Sequence, residues 1–236
     1  MDKKIFLPGS GFQLKALLKH NDIKEKTILI IGANSEEIAK VFQDEGAASI
    51  MIIVDDNASL LRSRLLLSED SRIPVRLMEF DNTDFRGERF DIVYAQSSVS
   101  VPRRNKILKE VKRILKTDGI FCVGENVSLQ NNPPVFVTDI WDSSGLAPIN
   151  IDEINDYYTS RGFNMLFEED ISHSLKEFYI AGENLLKNNI EQLSEEEKTY
   201  NKKFLKKLSH ESNAYLRLGA DRHIGFKMLI LRKADN

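Results

Sequence analysis

The sequence predicts an α/β fold with a doubly wound, mostly parallel sheet of seven strands. Five short apolar runs alternate with helix-type patterns, at residues 28–31, 50–54, 74–80, 90–95 and 120–124. Runs that are apolar on both faces suit strands buried between two helical layers, as in parallel sheets. Ligands of such sheets bind beyond the carboxyl ends of the strands, so we expect the functional site at that edge.

The stretch from Thr27 to Asp56 predicts strand, turn, helix and strand in succession. The second strand ends in two carboxylates, Asp55 and Asp56, a little over 20 residues past the turn at Gly32. An acid in this place is positioned to accept both ribose hydroxyls of an adenosine-type ligand. Asp55 is the stronger candidate because it directly continues the apolar run.

The turn favours one kind of adenosine ligand over another. Gly32 stands alone and is followed by Ala33 and Asn34, with Glu36 and Glu37 in the first helical turn. Two carboxylates there would repel the pyrophosphate of NAD, whereas the sulfonium and ammonium groups of S-adenosylmethionine would tolerate them. A purely structural alternative is a capping box, in which Asn34 caps the helix and Glu37 reaches back to it.

Polar residues also follow the next two strands. Asp81 and Asn82 come after residues 74–80, and either side chain has an oxygen that can accept a hydrogen bond from the exocyclic amine of an adenine. The alternative is that they only form a turn. Gln96 opens a polar loop after the following strand, at the same sheet edge. Pro102 then suits the first position of a helix.

The segment FDIVYAQSSVSVPRRNKILKEVKRILKTDG resembles the second half of a class I S-adenosylmethionine-dependent methyltransferase of the small-molecule type. The resemblance covers roughly residues 10–170 and implies a Rossmann-like methyltransferase fold, S-adenosylmethionine as cofactor and S-adenosylhomocysteine as product. It departs from the family at the first turn, where Asn34 and Glu36 stand at two positions that the family usually fills with glycines or small residues, and LKTDG replaces LKPGG. The cofactor-binding residues that it implies are Gly32, Ala33, Asn34, Glu36, Asp55, Asp56, Asp81, Asn82 and Gln96.

The remaining chain divides into a core and an elaboration. We expect residues 1–170 and 218–236 to form the cofactor-binding core, with a leading helix at about 11–20 and an antiparallel last strand. Residues 171–217 would form a helical lid of two amphipathic helices, the second around Tyr200 to Leu208. Residues 128–150 would form part of a substrate wall. The candidate substrate-lining residues are Trp141, Tyr157, Tyr215 and Arg217, with Tyr158 and Tyr179 as further pocket liners.

Three functions fit this pattern. The first is transfer of a methyl group to a small-molecule acceptor by in-line displacement, which needs alignment more than a dedicated base. The sequence therefore nominates no catalytic residue, although His173, His210 or His223 could deprotonate an acceptor. The second is an inactive methyltransferase-like protein that serves as a binding or scaffolding subunit, which the altered turn favours. The third is an NAD-linked oxidoreductase, which Glu36 and Glu37 disfavour.

Bulk properties exclude several partners. A net charge of −3 over 236 residues, with 29% charged, indicates neither nucleic acid nor an anionic membrane. One cysteine, Cys122, excludes an internal disulfide and suggests a cytoplasmic setting. We expect no membrane span, no metal site and no signal peptide. The sequence permits a homodimer but has no motif that predicts one.

Overall fold

The computed structural model describes residues 5–67, 71–190 (185–190 as backbone only) and 209–234. Its eight strands form one mixed sheet in the order β3-β2-β1-β4-β5-β8-β7, with the short β6 paired to β5 outside this path. The pairs from β3 to β5 are parallel, and β8 is antiparallel to both of its neighbours. The strands are Thr27–Ile31 (β1), Ser49–Val54 (β2), Val75–Leu77 (β3), Phe90–Gln96 (β4), Leu115–Ser128 (β5), Ile149–Asn150 (β6), Phe163–Asp170 (β7) and Ile224–Lys233 (β8).

Seven α-helices and one 3₁₀ turn accompany the sheet in the described ranges, and residues 209–217 are also helical. The helices are Phe12–His20 (α1), Glu36–Asp44 (α2), Asn57–Leu66 (α3), Arg104–Ile114 (α4), Val135–Ser144 (α5), Ile154–Thr159 (α6) and Ser174–Ile190 (α7), and the 3₁₀ turn is Ala220–Arg222. The predicted fold class is confirmed: a mostly parallel, doubly wound sheet with an antiparallel last strand.

The core consists of two apolar clusters, one on each face of the sheet. Alternate residues of β1 enter opposite clusters, so that Ile28 and Ile30 join one while Leu29 and Ile31 join the other. The first cluster packs against α1, α2, α5 and α7, and the second against α4 and α6. Because both faces are covered, the central strands β1 and β4 bury nearly all their side chains, which explains their continuous apolar runs.

Two stretches differ from the sequence expectation. Residues 135–144, expected as part of a substrate wall or as a surface loop anchored by one buried aromatic, form the helix α5, whose Trp141 is buried in the first core cluster. The fifth strand is longer than residues 120–124: it starts at Leu115 and contains an irregularity where Asp118 has φ 57°. Thr117 to Gly119 therefore lie within the strand, as its irregular start.

The lid expected over residues 171–217 is only partly described. α7 lies beside α1 and the C-terminal end of α2, where residues from all three helices line a groove of about 830 Å³. Its Tyr179 stacks on Tyr215, with ring centres 4.5 Å apart. The second predicted helix, from Tyr200 to Leu208, lies outside the described residues. Covering of the ligand by this region, and the division into core and lid, stay predictions.

Candidate cofactor site

The turn after β1 lies at the point where the chain crosses from one side of the sheet to the other. β1 has β2 on one side and β4 on the other, so a crevice opens between the ends of β1 and β4. Gly32 adopts φ 120°, and a Cβ atom on it would lie 2.7 Å from the Cβ of Ser98 in the loop after β4. Ser98 also donates a hydrogen bond of 2.6 Å to the carbonyl of Ile31. Only glycine fits this close approach of the two loops.

The two departures from the glycine pattern leave the turn's backbone shape intact. Asn34 has φ 61°, the left-handed conformation that glycine favours and asparagine tolerates best among other residues. Glu36 points away from the turn, because its carboxylate is buried and accepts a hydrogen bond from the hydroxyl of Ser63 in α3. The turn therefore keeps a glycine-type backbone at Asn34, and the carboxylate of Glu36 is already hydrogen-bonded.

The predicted capping box is absent. Ser35, not Asn34, occupies the N-cap position of α2, and its hydroxyl donates to the carbonyl of Gly32 at 2.8 Å. Glu37 instead pairs with Lys40 at 2.6 Å, one helical turn along. No hydrogen bond of the Asn34 side chain is found within the described part of the chain.

The two carboxylates after β2 have different surroundings. Asp56 is the N-cap of α3 and accepts a hydrogen bond of 2.9 Å from the backbone nitrogen of Ser59. Hydrogen bonds from Ser59 lower the pKa of Asp56 below its ordinary value. Asp55 instead pairs with Arg103, at 2.8 Å from its guanidinium. Asp55 is thus the acid at this strand end that is not used to cap a helix.

The residues after β3 meet the same arginine. Arg103, at the N-cap of α4, contacts the carboxylate of Glu79 and lies 3.6 Å from that of Asp81. Burial alone would lower the pKa of Arg103, but the carboxylates of Glu79, Asp81 and Asp55 outweigh it and raise the pKa. Asn82 is exposed, with its backbone nitrogen bonded to the carbonyl of Glu79. Asp55 and Asp81 are therefore within reach of one guanidinium.

Gln96 holds the leading segment in place. Its amide nitrogen donates to the carbonyls of Pro8 and Ser10 at 2.7 and 2.9 Å, and its oxygen accepts from the hydroxyl of Tyr94 at 2.6 Å. Gln13, which is fully buried in α1, donates to the carbonyl of Ala95 at 2.9 Å. These two amides fix the segment before α1 against the carboxyl end of β4, beside the crevice.

Known proteins share the fold of this chain and part of its sequence pattern. Residues 29–123 match the family model described as a methyltransferase domain. The resemblance to class I S-adenosylmethionine-dependent methyltransferases is thereby confirmed, and the matched stretch contains the turn, Asp55, Asp81 and Arg103. No curated protein sequence matches the chain.

Solved structures share the fold at low sequence identity. The chain is similar to a sarcosine dimethylglycine methyltransferase, so assigned provisionally, from Galdieria sulphuraria (TM-score 0.75, 16% identity, 95% of this chain and 84% of that one). It is also similar to the [4+2]-cyclase SpnF, with a TM-score of 0.70 and 17% identity over 94% of this chain and 80% of that one. A third similar structure is that of Haemonchus contortus phosphoethanolamine N-methyltransferase 2 in complex with phosphomonomethylethanolamine and S-adenosylhomocysteine. Its TM-score is 0.76, with 14% identity over 95% of this chain and 53% of that one. At these identities the likeness shows the fold alone.

A buried ion pair braces the loop between β4 and α4. Glu125 of β5 is fully buried, and its carboxylate lies 2.8 Å from Nε of Arg104. The hydroxyls of Ser100 and Tyr158 also donate to it. Ser100 in turn accepts a hydrogen bond of 2.9 Å from the backbone nitrogen of Asn126. This network positions the loop that carries Ser98 and Arg103.

The candidate substrate residues do not all come together. Trp141 and Tyr215 are buried in the same core cluster, whereas Tyr157 packs on the opposite face of the sheet. Arg217 is exposed and pairs with Glu183 at 2.9 Å. Burial raises the pKa of the Tyr215 hydroxyl to about 12. An acceptor pocket that includes all four therefore has no support in the contacts, and each residue's role stays a prediction.

The other predicted pocket and proton-transfer groups are similarly dispersed. Tyr158 belongs to the Glu125 network, and Tyr179 is buried against Tyr215. His173 packs edge-on against the ring of Phe12 at 4.8 Å. His210 is exposed, while Nδ1 of His223 is buried without a hydrogen-bond partner in the described chain.

Sequence reasoning missed the residues that connect the loops. Arg103 was hidden in a basic pair beside a helix start, where charged residues are usually solvated. Gln13 had a usable signal, because it is a polar residue next to the apolar stripe of Leu14 and Leu17. Within the described ranges no group of three or more His, Cys, Asp or Glu residues is arranged to hold a metal ion, and no helix is long and apolar enough to span a membrane.

Proposed function

We propose that the chain binds S-adenosylmethionine at the carboxyl edge of its sheet and transfers the methyl group to a small-molecule acceptor, releasing S-adenosylhomocysteine. One observation carries the proposal. The carboxylates of Asp55 and Asp81 follow adjacent strands and lie within reach of one guanidinium, beside a turn whose backbone keeps the glycine-type conformation. This spacing suits an adenosine group that extends from ribose to adenine.

Each residue would have a distinct role in holding the cofactor. Asp55 would accept the ribose hydroxyls, because its neighbour Asp56 is already engaged as a helix cap. Asp81 would accept a hydrogen bond from the adenine amine, with Asn82 beside it. The turn from Gly32 to Asn34 would face the methionine end. Glu36 would not touch the ligand, because its carboxylate is buried against Ser63.

The bound cofactor would supply a methyl group activated by a positively charged sulfur. The chain's own contribution would be to orient the acceptor in line with that methyl group and to exclude water. The leading segment, held by Gln96 and Gln13, lies where it can cover the crevice. The small-molecule class of acceptor is supported by the structural neighbours, one of which has phosphomonomethylethanolamine bound.

A second candidate function is supported by a different observation. Arg103 pairs with Asp55 and approaches Asp81, the same groups that an adenosine would need. A chain that keeps this arrangement permanently would not bind the cofactor and would act as a binding or scaffolding subunit. The structural likeness to the [4+2]-cyclase SpnF is compatible with a fold that serves other functions.

Calorimetric titration with S-adenosylhomocysteine separates the two candidates. We expect one site per chain with micromolar affinity, and an affinity about 10 to 100 times weaker for Asp55→Ala, since hydrogen bonds to a charged group are lost. Asp84→Ala is the matched control, because Asp84 also follows β3 and pairs with an arginine, Arg76, at 2.5 Å. Absence of heat at millimolar ligand would favour the scaffolding candidate. Equal losses in the two variants would contradict the role of Asp55.

A further inference from the structure

Arg103 is the cation at the centre of three carboxylates. One of its terminal nitrogens lies 2.8 Å from Asp55, and the other contacts Glu79 and lies 3.6 Å from Asp81. Its guanidinium also lies over the ring of Phe80, 5.9 Å from the ring centre. The side chain is about one-third exposed, at 34%, so it reaches solvent along the open side of this cluster.

This arrangement sets Arg103 in competition with a ribose. A ribose that uses both of its hydroxyls needs both oxygens of Asp55, and one of these oxygens is bonded to Arg103. The same guanidinium spans the gap between Asp55 and Asp81, where the proposed adenosine would extend. A ligand that extends along this gap would meet the guanidinium there and displace it from Asp55, while the contacts with Glu79 and Asp81 can remain.

We propose that Arg103 is an internal competitor at the adenosine end of the site: it holds Asp55 when no ligand is bound and moves toward Glu79 when a nucleoside enters. This inference rests on the proposed function, because it assumes that Asp55 receives the ribose. Without a ligand, Arg103 offsets the repulsion among three neighbouring carboxylates and so keeps the crevice intact. Arg103 thereby lowers the apparent affinity of the site for an adenosine ligand.

The test uses a neutral nucleoside, so that the protein's overall charge has little effect on binding. Calorimetry with 5′-methylthioadenosine is compared for the wild type, Arg103→Met and Arg76→Met. Methionine keeps an unbranched chain over Phe80 but cannot bond to Asp55. Arg76→Met removes the same charge from β3, and Arg76 pairs with Asp84 outside the cluster. We expect Arg103→Met to bind about two to five times more tightly than the wild type, the range for a partly exposed ion pair.

The dependence of affinity on salt provides a second readout. If Arg103 had only a structural role, the affinity for methylthioadenosine would not depend on ionic strength. Raising the ionic strength from about 0.05 to 0.5 M screens the pair between Arg103 and Asp55. The affinity of the wild type should therefore rise with salt toward that of Arg103→Met. The affinity of Arg103→Met should not change with salt. Arg76→Met should show the same rise as the wild type.

Two results would overturn the inference, and they are distinguishable. Binding by Arg103→Met that equals or falls below that of the wild type, with Asp55→Ala still impaired, would contradict the competition alone. Failure of every variant, including Arg103→Met, to bind either methylthioadenosine or S-adenosylhomocysteine would contradict the proposed function and the inference together.

Discussion

Replacing Glu125 with glutamine should strongly destabilise the protein. Glu125 is fully buried and is the acceptor for Arg104, Ser100 and Tyr158. Glutamine has nearly the same shape but no charge, so the buried guanidinium of Arg104 would lose its counter-ion. Arg104 would keep its bond of 2.6 Å to the carbonyl of Ala147 but would have no carboxylate to balance its charge.

The expected loss follows from the burial of both partners. The side chains of Arg104 and Glu125 are 6% and 0% exposed, so solvent cannot replace the lost partner. Breaking a buried ion pair by removing one charge costs about 3 to 5 kcal/mol. Against a total stability of about 5 to 15 kcal/mol, that is a large fraction. The affinity for S-adenosylhomocysteine should fall as well, because the network positions the loop with Ser98 and Arg103.

Urea denaturation provides the assay. Glu88→Gln is the control, since Glu88 is 63% exposed and lies 3.7 Å from Lys233, and it should change the free energy of unfolding by less than about 1 kcal/mol. The double variant Glu125→Gln with Arg104→Met should be more stable than Glu125→Gln alone, because it removes the unpaired charge. A loss below about 1 kcal/mol for Glu125→Gln, or a double variant less stable than the single one, would refute this reasoning.

Three further predictions concern single positions. Gly32→Ala should lower stability by about 1 to 3 kcal/mol in urea denaturation and weaken binding of S-adenosylhomocysteine, because it combines φ 120° with a Cβ 2.7 Å from Ser98; unchanged binding would contradict the close approach of the loops. Burial raises the pKa of the Cys122 thiol to about 12, so Ellman's reagent at pH 8 should react with it only after unfolding, and rapid reaction of the native protein would be contrary. Burial would raise the pKa of Glu110, but hydrogen bonds from Arg113 and Thr83 outweigh it and lower the pKa below the ordinary 4.5. The stabilisation from Glu110 should therefore be complete at neutral pH and be lost as the pH falls through the lowered pKa, so that Glu110→Gln is less stable than the wild type at pH 7 and the difference shrinks in acid; a difference independent of pH would be the contrary result.

The sequence predicted the fold well because the strands are buried on both faces. Apolar runs such as residues 28–31 have few other interpretations, and their spacing with the intervening helices leaves little choice of topology. Helix α5 was missed because residues 128–150 contain prolines and asparagines, which predict a loop. The packing of Trp141 in the core defines the apolar face of this helix, and that contact has no local signal in the sequence.

The site was predictable at the level of strand ends but not of side-chain contacts. Asp55 and Asp81 were identified because position along the chain determines which strand end they follow. The orientation of Glu36 depends on Ser63, 27 residues away, and such a contact has no local signal. Arg103 is a similar case, because its partners follow two other strands and come together only in the folded sheet.

A crystal structure of the protein with S-adenosylhomocysteine tests the central claim most directly. The account predicts the ribose hydroxyls on Asp55, the adenine amine near Asp81, and the guanidinium of Arg103 withdrawn from Asp55 toward Glu79. A nucleoside bound elsewhere, or a crevice that stays empty with Arg103 still on Asp55 at saturating ligand, would contradict the claim that this edge of the sheet is the cofactor site.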